Sequence, residues 1–600
     1  MAVDKMVLLR QVVNAFQQGK FNYVIQFIEA NNTILKLDPV AIQVYSSALR
    51  KVGNGTRAES VVIKGLKTFK GSPQLLNSLG TTQLELGKAK NAVQSFKKAL
   101  SANPLDIEVK YNLARAYKEV GLFNEAESIF VDVIRKKPTY SQASIHLADI
   151  HTNLGALEKA QKYLTSVLER DPANVVALNN LGNVLRRDNN FKASAERFEA
   201  AIKLQPTNST LRRNLAATLV LLNRREEAKQ CFIDAVSLTP LDWTAQEELA
   251  AFLWEEGVES PFEYIEPHIN HEDANAAFVL AYIKLLVRAD QFQKALDVLN
   301  SQEHLLRSNL DLYIYKARVH RELGDYDASL DYVEKGEKLK INNTIGLESE
   351  AGYTLLSLGR AKEALTKFSK LVKQEPRNQG WWTMLSTCYC LLNEENKYYW
   401  LCNYQQLLAV MPVLPSKEKR QNLNDELRDV LEALHQNERH PIGQSLRNGT
   451  QTYENLFDGK NEVINTLSSL ILERAQEFIE LQSKDRKHPF LSRLSKDLTF
   501  KGSWSVKLRT DGYHRSHYHP EGWLSGVYYV DVPNAVHNNG EGWLTFGRAD
   551  IANQNFEGDF AVKPKSGNLV LFPSYMWHGT NAFTSSTARL TVAFDIIPSH

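Results

Sequence analysis

The chain has 600 residues, of which 43% are hydrophobic and 23% are charged. A single hydrophobic core does not reach this length, so we expect at least two domains. The 71 basic residues are balanced by 69 acidic ones without a block of lysine and arginine, and no run of about 18 apolar residues occurs, so neither nucleic acid nor a membrane is expected as a partner.

The start of the chain and the cysteines bear on the cellular compartment. Residues 1–16 lack the basic and long apolar regions of a secretory signal and become amphipathic at once. The four cysteines, Cys231, Cys388, Cys390 and Cys402, lie in apolar surroundings and form no paired framework. We therefore expect a protein of the reducing cytoplasm.

A repeat of 34 residues dominates the first two thirds of the chain. Prolines recur at this spacing at Pro104, Pro138, Pro172, Pro206 and Pro240. Residues that tolerate the left-handed conformation at a helix end keep the same step. They are Gly19, Gly53, Gly87, Gly121, Gly155, Asn189, Asn223 and Gly257. Each unit is thus predicted as a helix, a tight turn, a second helix and a proline that ends it.

Apolar positions repeat within each unit as well. A leucine is followed by a small residue that lets helices approach closely, as in Leu79 and Gly80, and a large apolar residue such as Phe96 fills the groove between helices. This pattern closely resembles the tetratricopeptide repeat. After a slip of one residue the turn position continues at Asp290, Gly324, Gly359 and Asn393. We predict about twelve units over roughly residues 5 to 412.

The resemblance implies a solenoid without catalytic machinery, whose concave groove binds a protein or peptide segment. The position before the repeating leucine reads Ser78, Asn112, His146, Asn180, Asn214 and Glu248. In the similar repeats of O-GlcNAc transferase an asparagine ladder there clasps an extended peptide, because a side-chain amide both donates and accepts. The sequence predicts Asn112, His146, Asn180 and Asn214 as partner-binding residues, with a solvated polar helix face as the alternative.

The repeat signal stops at Pro412. Residues 413–439 are typical of a linker followed by a charged amphipathic helix, and residues 460–483 of a second such helix. A polar, glycine-bearing segment, residues 440–452, lies between them. We expect helices of this connector to pack on the outside of a β domain.

Short apolar or alternating runs between Gly, Pro and Asn turns predict strands near the end of the chain. The runs are residues 504–509, 524–532, 542–546, 568–573 and 589–597. In the last run Arg589, Thr591 and Ala593 alternate with apolar residues, so the arginine and the threonine share one face.

Six of the 15 histidines fall in the last hundred residues. His517 and His519 are two residues apart, so in an extended segment both rings project to the same side, as two ligands of one metal must. A third histidine, His578, follows the run at 568–573. These residues are the candidate ligands of a metal site.

The runs GSWSVKLR, HYHPEGWLSGVYYV, GEGWLTFG and LVLFPSYMWHGT resemble the Fe(II)/2-oxoglutarate-dependent dioxygenase superfamily, and more closely its members fused to tetratricopeptide repeats. The resemblance covers about residues 436–598 and implies a double-stranded β-helix, or jelly roll. It further implies that His517 and His578 bind iron, that Arg589 pairs with the distal carboxylate of 2-oxoglutarate, and that Thr591 hydrogen-bonds that carboxylate.

The sequence departs from the superfamily at one ligand. His519 stands where the superfamily carries an aspartate or glutamate, which predicts three histidine ligands and a centre one charge unit more positive. In an alternative register, His519 and Glu521 join His578 and restore a carboxylate ligand. His514 and His537 are expected to be loop or outer residues and not ligands.

The expected fold is a multidomain one: an all-α tetratricopeptide-repeat solenoid at 1–412, a connector with flanking helices at 413–500 and a double-stranded β-helix at 501–600. The expected function is an Fe(II)-dependent dioxygenase with 2-oxoglutarate as cosubstrate, which hydroxylates a protein or peptide captured by the solenoid. Two alternatives stay open. One is a cupin-type three-histidine dioxygenase that does not use 2-oxoglutarate, against which Arg589 and Thr591 argue; the other is an adaptor with an inactive or sensing barrel.

Overall fold

A computed structural model describes residues 5–31, 38–339, 341, 344–453, 455–459, 461–537 and 540–599 of the chain. It divides into two compact units, Met1–Ala235 and Val236–His600. Among the described residues, no helix has both the length and the apolar character needed to cross a membrane.

The first unit consists of helices paired along the chain, and the second begins within the last helix of this series. They are α1 (Lys5–Gln17), α2 (Phe21–Ala30), α3 (Pro39–Lys51), α4 (Gly55–Thr68), α5 (Pro73–Glu85), α6 (Ala89–Ala102), α7 (Ile107–Glu119), α8 (Phe123–Lys136), α9 (Ser141–Asn153), α10 (Leu157–Arg170), α11 (Val175–Arg187), α12 (Phe191–Leu204), α13 (Ser209–Leu221) and α14 (Arg225–Leu238).

The predicted helix ends are confirmed by the backbone. All twelve glycine, asparagine and aspartate positions of the turn ladder, from Gly19 to Asn393, have φ between 55° and 86°. Helix starts follow from the sequence too, since an Asp or Asn two positions after four of the five prolines caps the next helix. Asp106 accepts from Val109 N at 3.1 Å, and Asn174 accepts from Ala177 N at 3.0 Å.

Small residues face large ones inside each repeat. A Cβ built on Gly182 would lie 2.7 Å from the ring of Phe198, and one on Gly80 would lie 2.6 Å from the ring of Phe96. Both rings are fully buried. The small residue therefore sets the distance at which the two helices of a repeat pack.

Helical repeats continue into the second unit. Its helices are α15 (Trp243–Glu255), α16 (Ala276–Arg288), α17 (Phe292–Ser301), α18 (Glu303–Leu306), α19 (Leu310–Glu322), α20 (Tyr326–Glu337), α21 (Ile345–Ser357), α22 (Ala361–Gln374), α23 (Gln379–Leu391), α24 (Glu395–Leu401) and α25 (Tyr404–Leu407). Between α15 and α16 turns and a short 3-10 helix, Glu266–His268, replace the expected second α-helix, and the repeat phase slips there.

The rest of the second unit contains two antiparallel sheets. The strands are β1 (Ala409–Pro412), β2 (Leu446–Gln451), β3 (Leu498–His514), β4 (Leu524–Asp531), β5 (Leu544–Phe546), β6 (Phe560–Val562), β7 (Asn568–Pro573), β8 (His578–Thr580) and β9 (Arg589–Pro598). The large sheet has the order β1-β7-β4-β9-β3-β2 and the small one β6-β5-β8. The predicted solenoid followed by an antiparallel β domain is confirmed.

The large sheet is buried on both faces. Helices α26 (Lys417–Glu432) and α27 (Glu462–Glu480) cover one face, where Leu427 and Ile471 share a buried cluster with Tyr528 and Val592. The small sheet approaches the other face, where the rings of Phe546 and Phe572 are 5.0 Å apart. The two amphipathic helices thus lie on the outer face of the large sheet. The histidines lie on its other, inner face, toward the small sheet.

Two strands come from segments whose sequence gives no strand signal. The four residues of β1 pair with β7, with Ala409 opposite Leu571. In the connector, β2 pairs with β3, with Leu446 opposite His514. Both are edge strands of the large sheet, and such short strands are held by their partner strand and not by a pattern of their own.

Candidate functional site

Backbone pairing aligns two of the three candidate histidines. His517 and His578 form an antiparallel bridge in which each N–H donates to the other's carbonyl, at 2.8 and 2.9 Å. His519 N donates to Ser574 O at 3.0 Å. The two histidine-bearing segments are therefore held side by side by main-chain hydrogen bonds.

The three imidazoles converge. One ring nitrogen of each of His517, His519 and His578 lies within 4.8 Å of those of the other two, which is a grouping that could hold a metal ion. The ring centroids of His517 and His578 are 4.2 Å apart. The structure thus brings together all three residues of the predicted set.

The hydrogen bonds of the Nδ1 atoms determine which nitrogens face the centre. His517 Nδ1 is 2.9 Å from Arg515 O, and His578 Nδ1 is 2.9 Å from Met576 O. His519 Nδ1 is 2.7 Å from both carboxylate oxygens of Asp595. Since carbonyls and carboxylates only accept, each Nδ1 carries the proton, and each Nε2 keeps a free lone pair for a metal.

Burial keeps the rings of His517 and His578 neutral. It lowers the pKa of His517 to about 3 and that of His578 well below its usual range, and the neighbouring histidines lower both further. A neutral imidazole is the form that binds a metal. The protonation state of these two rings therefore suits metal binding at neutral pH.

Asp595 is a residue that the sequence reasoning missed. It lies on β9 and shares the inner face with Arg589 and Thr591, because all three are separated by even numbers of residues. The signal was present as an acidic residue within the apolar run 589–597. The predicted alternation of Arg589, Thr591 and Ala593 stops one step before Asp595.

Arg589 is buried on the same face, with 3% of its surface exposed. Its Nη1 donates to Gly542 O at 2.7 Å, while Nε has no hydrogen-bond partner among the described residues. Burial lowers the pKa of its guanidinium. A buried cation with an unpartnered donor suits an anionic ligand.

Thr591 lies next to Arg589 on the inner face. It is buried, and its Oγ1 donates to Val506 O at 3.4 Å. Its partner across β4 is Tyr529, whose pKa burial raises to about 12. The two predicted cosubstrate residues and this tyrosine therefore form one patch of the inner face.

The alternative ligand Glu521 does not join the cluster. Its side chain is 76% exposed and its carboxylate pairs with Lys501 Nζ at 3.1 Å. His514 lies close, with its ring 5.6 Å from that of His517 and its Nδ1 3.0 Å from Ser445 Oγ, but it is not in the metal-binding grouping. The side chain of His537 falls outside the described part of the chain.

Helix α23 supports both histidine-bearing segments from behind. Gln379 N donates to Pro520 O at 2.9 Å, and Thr383 Oγ1 donates to Tyr575 O at 2.6 Å. Thr387 Oγ1 accepts from Trp577 Nε1 at 2.9 Å. The last repeats are thus structural parts of the site.

The predicted ladder of the first unit joins neighbouring repeats. The bonds link Asn112 to Asn77 at 3.1 Å, His146 to Tyr111 at 3.1 Å and Asn214 to Asn179 at 2.8 Å. Asn180 Oδ1 accepts from Asn179 at 3.2 Å. The contacts of Asn112, His146 and Asn214 hold one repeat to the next, whereas Asn180 bonds within its own helix, and partner binding by the ladder stays a prediction.

Comparisons with known proteins fit this architecture. Residues 502–595 match the family described as "Putative 2OG-Fe(II) oxygenase", and residues 83–138 and 119–183 match the tetratricopeptide repeat. Similar solved structures include a thermophilic TPR protein of Thermus thermophilus, 24% identical over 30% of this chain and 100% of that one, with a TM-score of 0.28. Another is MamA from Desulfovibrio magneticus RS-1, 20% identical over 28% of this chain and 96% of that one, with a TM-score of 0.26. No curated protein matches the chain. The chain thus contains tetratricopeptide repeats and, at residues 502–595, a domain that matches the family described as "Putative 2OG-Fe(II) oxygenase".

Proposed function

We propose that this protein is an Fe(II)- and 2-oxoglutarate-dependent dioxygenase that hydroxylates a protein or peptide segment held by its repeats. When bound, the iron with 2-oxoglutarate and O2 supplies the oxidising power, and succinate and CO2 are released as one oxygen atom enters the substrate. The residues of the chain hold the metal, bind the cosubstrate and place the substrate.

The observation that carries the proposal is the convergence of three imidazoles whose Nδ1 atoms are all engaged elsewhere. Iron accepts imidazole ligands readily, and three ligands on one side leave coordination positions for a cosubstrate. We therefore assign His517, His519 and His578 as the metal ligands, and Glu521 is left on the surface.

Arg589 favours 2-oxoglutarate as the cosubstrate. Its guanidinium is buried and has no acidic partner among the described residues, so a distal carboxylate would supply the missing charge. Thr591, on the same face, would donate its hydroxyl to that carboxylate in place of its 3.4 Å bond to Val506. Both are the residues to which the resemblance gives this role.

A second candidate is a cupin-type dioxygenase that uses no 2-oxoglutarate. The specific observation in its favour is the ligand set, since all three members of the metal-binding grouping are histidines. Arg589 weighs against it, because a buried guanidinium without an anion is costly in a site that binds none. An adaptor with an inactive barrel is the remaining outcome of the test below.

The repeats of the second unit offer a binding groove next to the barrel. A groove of about 450 Å³ is lined by Trp243 and Tyr315, by the cations Lys284, Arg288 and Arg318, and by Glu247, which pairs with Arg288 at 2.9 Å. Aromatic and cationic side chains suit a peptide that carries carboxylates and apolar groups. Tetratricopeptide repeats generally bind proteins, which supports a protein or peptide as the partner.

This groove is linked to the histidine segment by side-chain contacts. Arg318 Nε donates to Glu350 Oε1 at 2.7 Å, and the Arg321 guanidinium, which also contacts Glu350, lies 5.3 Å from the Tyr353 ring. The Tyr353 and Tyr518 hydroxyls are 3.0 Å apart, and Tyr518 separates His517 from His519 in the chain. A segment bound in the groove would therefore be connected to the histidine segment through these side chains.

The test of the activity is anaerobic Fe(II) binding followed by succinate production from 2-oxoglutarate and O2 without added substrate. We expect succinate from the wild type and from Glu521→Ala, and none from His519→Ala, His578→Ala or Arg589→Ala. Iron binding without succinate would support the cupin-type candidate. A protein that binds no iron would be an adaptor, and the proposal would be wrong.

The test of capture uses full-length variants of the groove. We expect a stimulating peptide from an acidic peptide library to raise succinate production by the wild type, and Lys284→Glu and Tyr315→Ala to lose the stimulation while keeping the basal rate. The control is Lys294→Glu, which changes a similarly paired lysine on α17. Equal stimulation of all four proteins would rule out this groove as the capture site.

A further inference from the structure

We propose that Asp595 is a positioning residue for the three-histidine site. Its carboxylate accepts the Nδ1–H of His519 and so supplies the negative charge that the three histidine ligands lack. This inference deepens the proposed function and rests on it. It concerns the one ligand at which the chain departs from the usual pattern, where His519 stands in place of a carboxylate.

The three histidines differ in the group that accepts the hydrogen bond of Nδ1. Nδ1 of His517 and of His578 donates to a neutral backbone carbonyl, whereas Nδ1 of His519 donates to a carboxylate, with both oxygens of Asp595 at 2.7 Å. The negative charge of Asp595 is therefore bonded to His519, the one ring that replaces a carboxylate ligand. A carboxylate acceptor makes an imidazole a stronger donor to a metal and returns negative charge to the centre.

Asp595 has no other charged partner. Within the described chain no lysine or arginine pairs with its carboxylate, and its one ion pair is with His519. Its side chain is only 12% exposed. A buried carboxylate that forms a structural ion pair would be expected beside a lysine or arginine. The arrangement therefore indicates that the role of Asp595 is to bond His519.

Hydroxyl groups hold the carboxylate in place. Ser525 Oγ donates to Asp595 Oδ1 at 2.5 Å and lies 2.8 Å from Ser574 Oγ. The backbone of Ser574 also accepts from His519 N at 3.0 Å. A Cβ on Gly522 would lie 2.4 Å from Ser574 Oγ and 3.1 Å from Asp595 Oδ1, so the network fills its space.

Two effects of Asp595 can be separated by substitution. An asparagine keeps an oxygen that accepts the Nδ1–H of His519 but removes the charge, whereas an alanine removes both. Loss of such an outer partner typically weakens metal binding roughly 10- to 100-fold. We expect about 10-fold weaker binding for Asp595→Asn and about 100-fold for Asp595→Ala.

The experiment is anaerobic titration of the full-length apo-protein with Co(II) and with Fe(II), combined with the visible absorption of bound Co(II). We expect weaker binding and shifted Co(II) bands in both variants, and an apo-protein unfolding midpoint close to the wild type's for Asp595→Asn. The matched control is Asp550→Asn, which removes an exposed carboxylate that pairs with Arg515. Wild-type affinity and bands in Asp595→Asn and Asp595→Ala would overturn the inference.

A second measurement tests whether Asp595 acts through His519. In the His519→Asp background the carboxylate returns to the ligand itself, and the shorter side chain does not reach Asp595. We expect Asp595→Asn to cause no weakening there. An equal weakening in both backgrounds would overturn the inference. If the wild type binds metal but makes no succinate, the proposed function fails while these affinities still decide the role of Asp595.

Discussion

At the scale of single residues, the candidate site shows how a cluster of like groups is tolerated in a folded chain. Three imidazoles next to each other would repel if protonated, and burial lowers the pKa of His517 to about 3. The one N–H of each ring, on Nδ1, donates to a fixed acceptor. Hydrogen bonds from the Nδ1 side thus orient the Nε2 lone pairs toward one another, as the ligands of a metal site must be.

The first prediction concerns Arg589. We expect Arg589→Met to raise the apparent KM for 2-oxoglutarate at least about 10-fold, because the variant loses a charge-assisted hydrogen bond. We expect Arg589→Lys to lie between this variant and the wild type, since lysine keeps the charge but not the planar fork. Steady-state succinate production over a range of 2-oxoglutarate concentrations measures the effect.

Its control is Glu521→Gln, which removes an exposed carboxylate that pairs with Lys501. We expect an unchanged KM there. An unchanged KM in Arg589→Met, with normal iron binding, would show that the guanidinium does not contact the cosubstrate.

At the scale of elements, the repeats are stabilised by pairs of one small and one large residue. Phe198 packs directly over Gly182, at a distance that leaves no room for a methyl group. Because the same pair recurs in other repeats, as with Phe368 over Gly352, the helix packing repeats with the sequence. This is why the period predicted the helices so well.

The second prediction is that Phe198→Ala destabilises the first unit by about 3–5 kcal/mol, since it opens a cavity in a fully buried position. Urea unfolding followed by circular dichroism measures the midpoint. Leu204→Ala on the same helix is the control, because Leu204 is 46% exposed. A similar loss in both variants would argue against the packing role of Phe198.

The third prediction concerns the support of the histidine segments by α23. We expect Thr383→Val to weaken Fe(II) binding several-fold and to lower the unfolding free energy by about 1–3 kcal/mol, because Tyr575 O loses its buried hydrogen bond. Anaerobic metal titration and urea unfolding check both effects.

The control for this variant is Thr366→Val on α22, whose hydroxyl bonds only the carbonyl of its own helix, at 3.3 Å. We expect no change in metal affinity there. If Thr383→Val binds Fe(II) as the wild type does, α23 does not influence the metal site.

At the scale of the whole molecule, buried histidines make stability depend on pH. Burial lowers the pKa of His146, His435, His440 and His488 to about 4, each from an ordinary value of 6.5. Below pH 6.5 the unfolded chain binds protons that the folded chain does not. The stability that these groups contribute is therefore fully present above pH 6.5 and is lost as the pH falls toward 4.

The fourth prediction follows from this sign. We expect the urea midpoint of the apo-protein to fall steadily between about pH 6.5 and about pH 4.5. We expect the fall to be smaller in His435→Gln, in which an amide faces Thr450 and Ser505 in place of the ring that bonds both now. A midpoint that is constant over this range, or a slope unchanged in the variant, would contradict the assignment.

The sequence by itself determined the features that depend on local pattern. The repeat period, the helix ends at residues such as Gly121 and Asn189, the long strands and the group of His517, His519 and His578 all follow from spacing and residue type. Each is written into neighbouring residues and needs no knowledge of the rest of the chain. Partner binding by the ladder of Asn112, His146, Asn180 and Asn214 was predicted from position alone and stays a prediction.

Only the tertiary structure decided which residues from distant parts of the chain lie next to these histidines. Whether Glu521 joins His519 and His578 depends on where the backbone turns after residue 519, and Glu521 lies on the surface, 76% exposed and paired with Lys501. That Asp595 stands behind His519 depends on the register of β9 against β4, where Asp595 lies opposite Ser525. Contacts between residues far apart in the chain follow from packing, and packing has no local signature in the sequence.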